Sequence, residues 1–555
     1  MLGAGLQLAL IPAPLVVAAV IVFGLDARHA FQARVIAGAG ILAGIALIAV
    51  DARLLSGGTA IEASLGAPVP GIDYLLRLDL PGTVLGLSAT VAGGLLLLDP
   101  RRETRQVSAL LVCVTGSVVA ALAGNLVMLI GGVEIAGVGT LLMTGAARGR
   151  VGRGAFVSIG LEHLATLGLA VAAVQLLTST GTTDVSVIPA GAIGASVAGP
   201  WALAGVARLL SPAYVPLRGI RTPTAAWATT GAIPCGAIVI LRLREVVGGS
   251  LPEGIAIALA AVGAGAALWA AAVALRWSDV PAVAGRALCV LSAAPIVAVC
   301  GFASVDTRAV VAGIVALVLV TALTPAWEHI GRGRGGIALA VLGLMTAGAL
   351  PVGFGLTAVI LELAATVSIG RAGAALVAAL GLAALLGAAA GSRAAVGVMA
   401  EADATEAATA RPSALAAVAA VASVLAGVVP GATATTVLAT LSSQGLVEPI
   451  GAAGIRSAAG DWAGGYLVIA FLVVAAGAWA FTTLAGRPLL TAPPLVESAR
   501  HPVRAPSLGL GPARLIRPLL ARGASTLDQL DRWLVVQPQL TLVVGGAVLA
   551  LLLIH

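Results

Sequence analysis

Three carboxylates and one histidine sit well inside apolar stretches long enough to cross a bilayer: Glu134, Glu162, Glu362 and His163. A charge at mid-bilayer costs about 2.5–3.5 kcal/mol on insertion scales, so each such residue is kept for a partner, an ion or a proton. Glu134 lies about eight residues into its stretch, roughly 12 Å deep at a rise of 1.5 Å per residue. It serves either proton transfer or a structural hydrogen bond to a neighbouring helix. Glu162 and His163 are adjacent, hence about 100° apart around a helix, and one of them faces protein or water. Histidine titrates near neutrality and can relay protons, or can simply cap a neighbour's carbonyl. Glu362 lies in the second half of 336–369, an apolar stretch too long for one straight crossing.

Other chemistry leaves no trace. Cys113, Cys235, Cys289 and Cys300 lie in apolar runs without C-x-x-C spacing and read as small packing residues. No phosphate-binding glycine loop, zinc spacing, flavin motif or iron–sulfur cysteine cluster is visible. The expectation is therefore no metal and no cofactor on this chain. Any redox chemistry then belongs to partner subunits, and the chain is not an enzyme by itself. All 31 basic residues are arginine, with no lysine. They fall in short loops rather than in a patch with aromatics, which excludes a nucleic-acid partner.

The elements that position these residues are membrane helices. Of the 555 residues, 59% are hydrophobic and only 10% charged, with a mean hydropathy of +1.08. A soluble domain is about 25% charged, and a soluble fold of this size could not hide so much apolar surface. Spans of about 20 apolar residues are expected near 2–24, 35–50, 82–98, 107–124, 126–146, 155–178, 186–211 and 222–243. More follow near 253–275, 281–303, 308–327, 336–369, 372–391, 413–430, 464–485 and 537–554. Arginine-rich loops alternate with arginine-poor ones, which orients the N-terminus outside. Gly-Pro turn signals and the alternation Ile72-Asp73-Tyr74-Leu75-Leu76-Arg77-Leu78-Asp79 predict a short outer hairpin within 51–81. Near the C-terminus, 512–534 mixes leucines and arginines as an amphipathic helix on the inner membrane surface does, before one last span.

Four ordered segments carry a family resemblance. They are GIDYLLRLDLPGTVLGLSATVAGGLLLL, ALAGNLVMLIGGVEIAGVGTLLM, AFVSIGLEHLATLGLAVAAVQLLTSTGTTD and SPAYVPLRGIRTPTAAWATTGAIPCGAIVILR. In order and spacing they resemble the "FRLD" strand and following helix, the glutamate-bearing fifth helix, the sixth helix with its "T-G-T" loop, and the proline-rich region of antiporter-like subunits. That family comprises subunits 2, 4 and 5 of NADH-quinone oxidoreductase (respiratory complex I), subunits of membrane-bound hydrogenases, and those of multisubunit cation/proton antiporters. The resemblance covers roughly 70–370, and the chain is similar to a divergent member.

The resemblance implies an all-α polytopic membrane protein of about 14–16 transmembrane helices, built on two inverted five-helix repeats. The repeats would span 107–243 and 253–391, after N-terminal helices and the hairpin (1–106). Additional helices (392–486) and the surface helix with its last span (487–555) would follow. Each repeat of the family has one broken helix, here expected at Pro200 and at Pro351. Glu134 matches the family's fifth-helix glutamate, a residue of the proton path. Arg208 and Arg286 are the basic residues nearest two of its lysine positions. A relay lysine can lose its proton when desolvated, whereas arginine stays charged and only tunes its neighbours. Arg208 also lies near the inner end of its span, where an arginine snorkels toward the interface.

Three readings stay open. The first is a proton- or cation-translocating subunit of a multisubunit redox-driven or antiporter complex, using Glu134, Glu362, His163 and Glu162. The second is a non-pumping structural or coupling subunit of such a complex, and the third a stand-alone secondary transporter. Under the first two, the partners are other membrane and peripheral subunits, with the lipid bilayer of a bacterial inner membrane around them.

Overall fold

The computed structural model describes residues 4–54, 60–67, 72–97, 103–146, 153–189, 191–214, 228–248 and 251–276, short pieces of 293–302, 373–387, and three strands within 448–462. Apolar helices dominate. They are α1 (Ala4–Leu10), α2 (Ala13–Phe23), α3 (Ala30–Leu54), α4 (Leu80–Leu97), α5 (Thr104–Ala121) and α6 (Leu126–Ala146). These are followed by α7 (Arg153–Thr180), α8 (Ala195–Tyr214), α9 (Ile233–Val247) and α10 (Glu253–Arg276). Five helices among the described residues are long and apolar enough to span a bilayer. Outward-facing Val17, Leu42, Leu167 and Val174 give the bundle an apolar exterior. This is a multi-pass membrane protein.

Sequence signals account for most boundaries. The Asn125 side-chain oxygen accepts from the Met128 amide at 2.9 Å and caps α6, as asparagine does at helix starts. α9 ends at Gly248, whose φ of 73° places it in the left-handed region that favours glycine. The stretch expected over 2–24 is split between α1 and α2 at Ile11-Pro12, because proline there has no amide to continue α1.

At the centre stands α5, with 78% of its span buried against 33–44% for the other spans. It meets α6 almost backbone to backbone. A Cβ on Gly116 would lie 2.7 Å from both Ala136 Cα and the Gly132 carbonyl oxygen. One on Gly132 would lie 2.6 Å from Ala120 Cα, and one on Gly139 2.6 Å from Cys113 Cα. Small residues repeated along both helices are what lets membrane helices approach this closely.

The hairpin expected within 51–81 forms as β1 (Ile61–Ser64) and β2 (Leu75–Leu78), antiparallel with Ile61 opposite Leu78. The Arg77 amide donates to Leu122 O at 2.7 Å and the Gly124 amide to Leu75 O at 2.9 Å, so β2 lies on the turn between α5 and α6. Asn125 bridges onward to Asp184. A second, three-stranded antiparallel sheet comprises β3 (Glu448–Ile450), β4 (Gly454–Ser457) and β5 (Gly460–Trp462), within 392–486 where additional helices were expected.

Candidate functional site

A buried ion pair sits among α6, α7 and α8. Glu162 of α7 and Arg208 of α8 make an ion pair, Oε1 to Nη1 3.0 Å, with side chains 3% and 1% exposed. Arg208 Nη2 also donates to the Val133 carbonyl on α6, one residue before half-buried Glu134. Glu134 is near enough for its negative charge to act on Glu162. Gly137 makes the room: a Cβ there would stand 3.3 Å from both Arg208 Nη2 and Glu162 Oε2. Glu162 and Arg208 neutralise each other, and Glu134, next to Val133 on α6, brings a second carboxylate into the neighbourhood.

Two expectations about this region are corrected. Arg208 does not snorkel, because Glu162 and the Val133 carbonyl supply inside the bundle what the interface would otherwise supply. Pro200 does not break its helix, since α8 runs unbroken from Ala195 to Tyr214. The non-helical segment instead precedes α8, where Gly181 and Gly191 take φ of 76° and 80°. At Pro200 the chain is held by packing. A Cβ on Gly168 of α7 would lie 2.6 Å from the Pro200 carbonyl oxygen, and the buried Trp201 indole donates to Val239 O at 3.0 Å.

Glu162 and His163 part as their 100° separation requires. Glu162 points into the bundle and His163 faces outward, so His163 does not join the cluster. Glu362, Arg286 and Pro351 lie outside the described residues, as do the inner surface helix and the last span.

A break that proline did cause sits elsewhere. Residues Ala228–Ala232 form a π turn leading into α9. Pro234 has no amide, so the Thr230 carbonyl cannot receive the usual helical bond from it. The Ser117 hydroxyl of α5 donates to that carbonyl instead. Around this turn lies a run of fully buried hydroxyls and thiols. Thr230 Oγ1 donates to Cys113 Sγ at 3.6 Å, Cys113 Sγ contacts Thr140 Oγ1 at 3.9 Å, and Ser117 Oγ contacts Cys235 Sγ at 3.6 Å. The Thr140 hydroxyl is within hydrogen-bonding reach of the Glu162 carboxylate. Reading the cysteines as packing residues missed these contacts, because no spacing along the chain relates Cys113 to Thr140 or Thr230. Only Pro234, preceded by a Thr-Thr pair, marks the place in the sequence.

A second ionic cluster closes the hairpin end. Arg77 contacts Glu62 at 3.4 Å, Asp79 at 3.2 Å and Glu245 at 2.6 Å. Arg242 of α9, 1% exposed, pairs with Asp79 and, at 3.0 Å, with Glu245. These bonds fasten β2 to the end of α9. Replacing Arg242 by Met should destabilise the protein by about 2 kcal/mol, the cost of leaving its partners short of charged hydrogen bonds. An unchanged melting temperature in detergent would refute this role.

Sequence comparison alone finds no matching protein family and no matching curated protein. Structure comparison finds the same fold elsewhere. A chain of the Mrp complex from Dietzia sp. DQ12-45-1b superposes with a TM-score of 0.71 at 16% identity, over 98% of this chain. The fold is shared with that chain of a membrane complex. A chain of the membrane-bound sulfane sulfur reductase, an archaeal respiratory membrane complex, agrees with a TM-score of 0.67 at 15% identity, covering 97% of this chain and 95% of its own length. This chain spans 63% of the length of the Dietzia chain. In this chain the cation beside buried Glu162 is an arginine.

Proposed function

We propose that this chain is a proton- or cation-translocating antiporter-like subunit of a multisubunit membrane complex, with its N-terminus and hairpin end on the outer side of a bacterial inner membrane. The observation that carries the reading is the Glu134–Glu162–Arg208 cluster. Isolated charges this deep are expensive, and a second carboxylate near a neutral pair has a standing use for a proton or small cation.

Arginine shapes the mechanism. It does not give up its proton, so it acts as a fixed counter-charge and the carboxylates do the loading and unloading. Deprotonation of one glutamate is tolerated because Arg208 stays beside it, and a second negative charge is opposed by the first. The cluster thus holds one exchangeable charge at a time. The electron donor, catalytic cofactors and driving reaction belong to other subunits in this reading.

The test uses the assembly purified through a tag on this chain and reconstituted in liposomes. Glu162→Gln removes the ionisable group and keeps the shape, and should lower ion flux by about tenfold or more. Glu134→Gln should lower it as well. Normal flux and coupled turnover in both variants would leave the chain as a structural or coupling subunit of the same assembly. Purification without partners, together with solute transport, would instead make it a stand-alone transporter.

A further inference from the structure

The buried hydroxyls and thiols beside the glutamate cluster have an order. Thr140 touches the Glu162 carboxylate on one side and Cys113 Sγ, 3.9 Å away, on the other. Thr230 in the π turn donates to the same sulfur at 3.6 Å. All are sealed from the surroundings: Thr140 is 1% exposed, and Cys113 and Thr230 are 0%. Packing around them is tight. A Cβ on Gly231 would lie 2.5 Å from Cys113 Sγ and 3.4 Å from Thr140 Oγ1, while Gly139 brings the α6 backbone against Cys113.

We infer that Thr230, Cys113 and Thr140 form a proton wire between the π turn of α9 and Glu162, and that the ion carried there is the proton and not sodium. The inference rests on the proposed translocating function and adds a route and an ion to it. Each group carries one exchangeable hydrogen and an acceptor lone pair. Thr230 already donates to Cys113, and the Thr140 hydroxyl, which donates to Ala136 O at 3.0 Å, turns to Glu162 to complete the wire. A proton arriving on Thr230 Oγ1 displaces that hydroxyl's own proton to Cys113 Sγ. The thiol passes its proton to Thr140 Oγ1, and Thr140 passes its own to Glu162. One O–H bond is gained at the carboxylate, and every intermediate group ends with the number of protons it began with. Before the next passage, each of the three groups turns its newly received hydrogen toward the next acceptor.

Sodium has no equivalent route. It must move as a whole ion with several oxygen ligands at once, and here the close contacts at Gly231 and Gly139 press helix against helix around the sulfur. The α5 sulfur suits a proton and would be a poor ligand for a hard cation.

The test compares near-isosteric pairs in the same proteoliposomes of the complex, with co-purified partners confirming assembly of each variant. Cys113→Ala and Cys113→Ser differ little in volume but only serine keeps an exchangeable hydrogen; Thr140→Val and Thr140→Ser make the same comparison. Proton flux should fall about tenfold in Cys113→Ala and Thr140→Val and stay near the native rate in both serine variants. Native flux should persist in sodium-free buffer. If Cys113→Ala and Thr140→Val conduct normally while Glu162→Gln does not, the wire is wrong and the translocating function stands. If Glu162→Gln also conducts normally, both fall. Loss of flux in the serine variants would show packing, not proton exchange, to be what matters and would overturn the wire. A requirement for sodium would overturn it too.

Discussion

Arg208→Ala should destabilise the protein by about 3–5 kcal/mol, the range seen when one partner of a buried ion pair is removed. The size follows from what is left behind. Glu162 is 3% exposed and 3.0 Å from the guanidinium, so losing the cation leaves a carboxylate with neither water nor a counter-charge. The Val133 carbonyl also loses the hydrogen bond that Arg208 donates to it. Three helices meet at this side chain, and the alanine variant should therefore assemble poorly rather than merely conduct less.

The second half of this prediction separates charge from packing. In Arg208→Met/Glu162→Gln both charges are gone and the volume is roughly kept. Stability should return to within about 1–2 kcal/mol of the native protein, since a buried pair replaced by neutral groups of similar shape is often close to neutral. A double-mutant cycle on melting temperatures in detergent reads the coupling directly. Additive single and double variants would mean that the pair contributes nothing as a pair.

Gly116→Ala carries the other large effect. Its Cβ would lie 2.7 Å from Ala136 Cα and from Gly132 O, and nearer still to the Ala136 amide nitrogen. All three are backbone atoms of α6, which no rotamer change can move aside. The helices must part along the central seam of the bundle, and small-to-large changes at tightly packed positions cost about 1–3 kcal/mol or occasionally more. We expect a loss of about 3 kcal/mol or more here, because the clash is with backbone rather than with a pliable side chain. Gly131→Ala is the control, with nothing within 4 Å of its added methyl. It should be neutral or slightly stabilising, by up to about 1 kcal/mol from reduced backbone freedom. If the two variants melted together, close packing of α5 on α6 would not be what holds the seam.

Much of this architecture was legible in composition and local pattern. The stretch 126–146 is both the expected span and the observed α6, because an asparagine cap opens it and an arginine-rich loop follows. The hairpin was readable from alternation around Leu75–Leu78, and the resemblance of the quoted motifs pointed to the fold that the solved structures share. Local signals failed where a partner could override them. Pro200 looks like a break but sits in a helix held by Gly168 and Trp201, while Pro234, unremarked in the sequence, adjoins the π turn.

By itself the sequence determined the solvent, the helices and which residues are costly to bury, since hydropathy, caps and turn residues act over a few neighbours. It also established that the core cation must be arginine, because there is no lysine to use. Only the tertiary structure decided that Arg208 pairs with Glu162, that His163 faces away, and that Cys113, Thr140 and Thr230 touch. Those outcomes depend on how α5 to α9 rotate and approach one another. Glycine contacts spread over more than a hundred residues set that approach, and no local period encodes it.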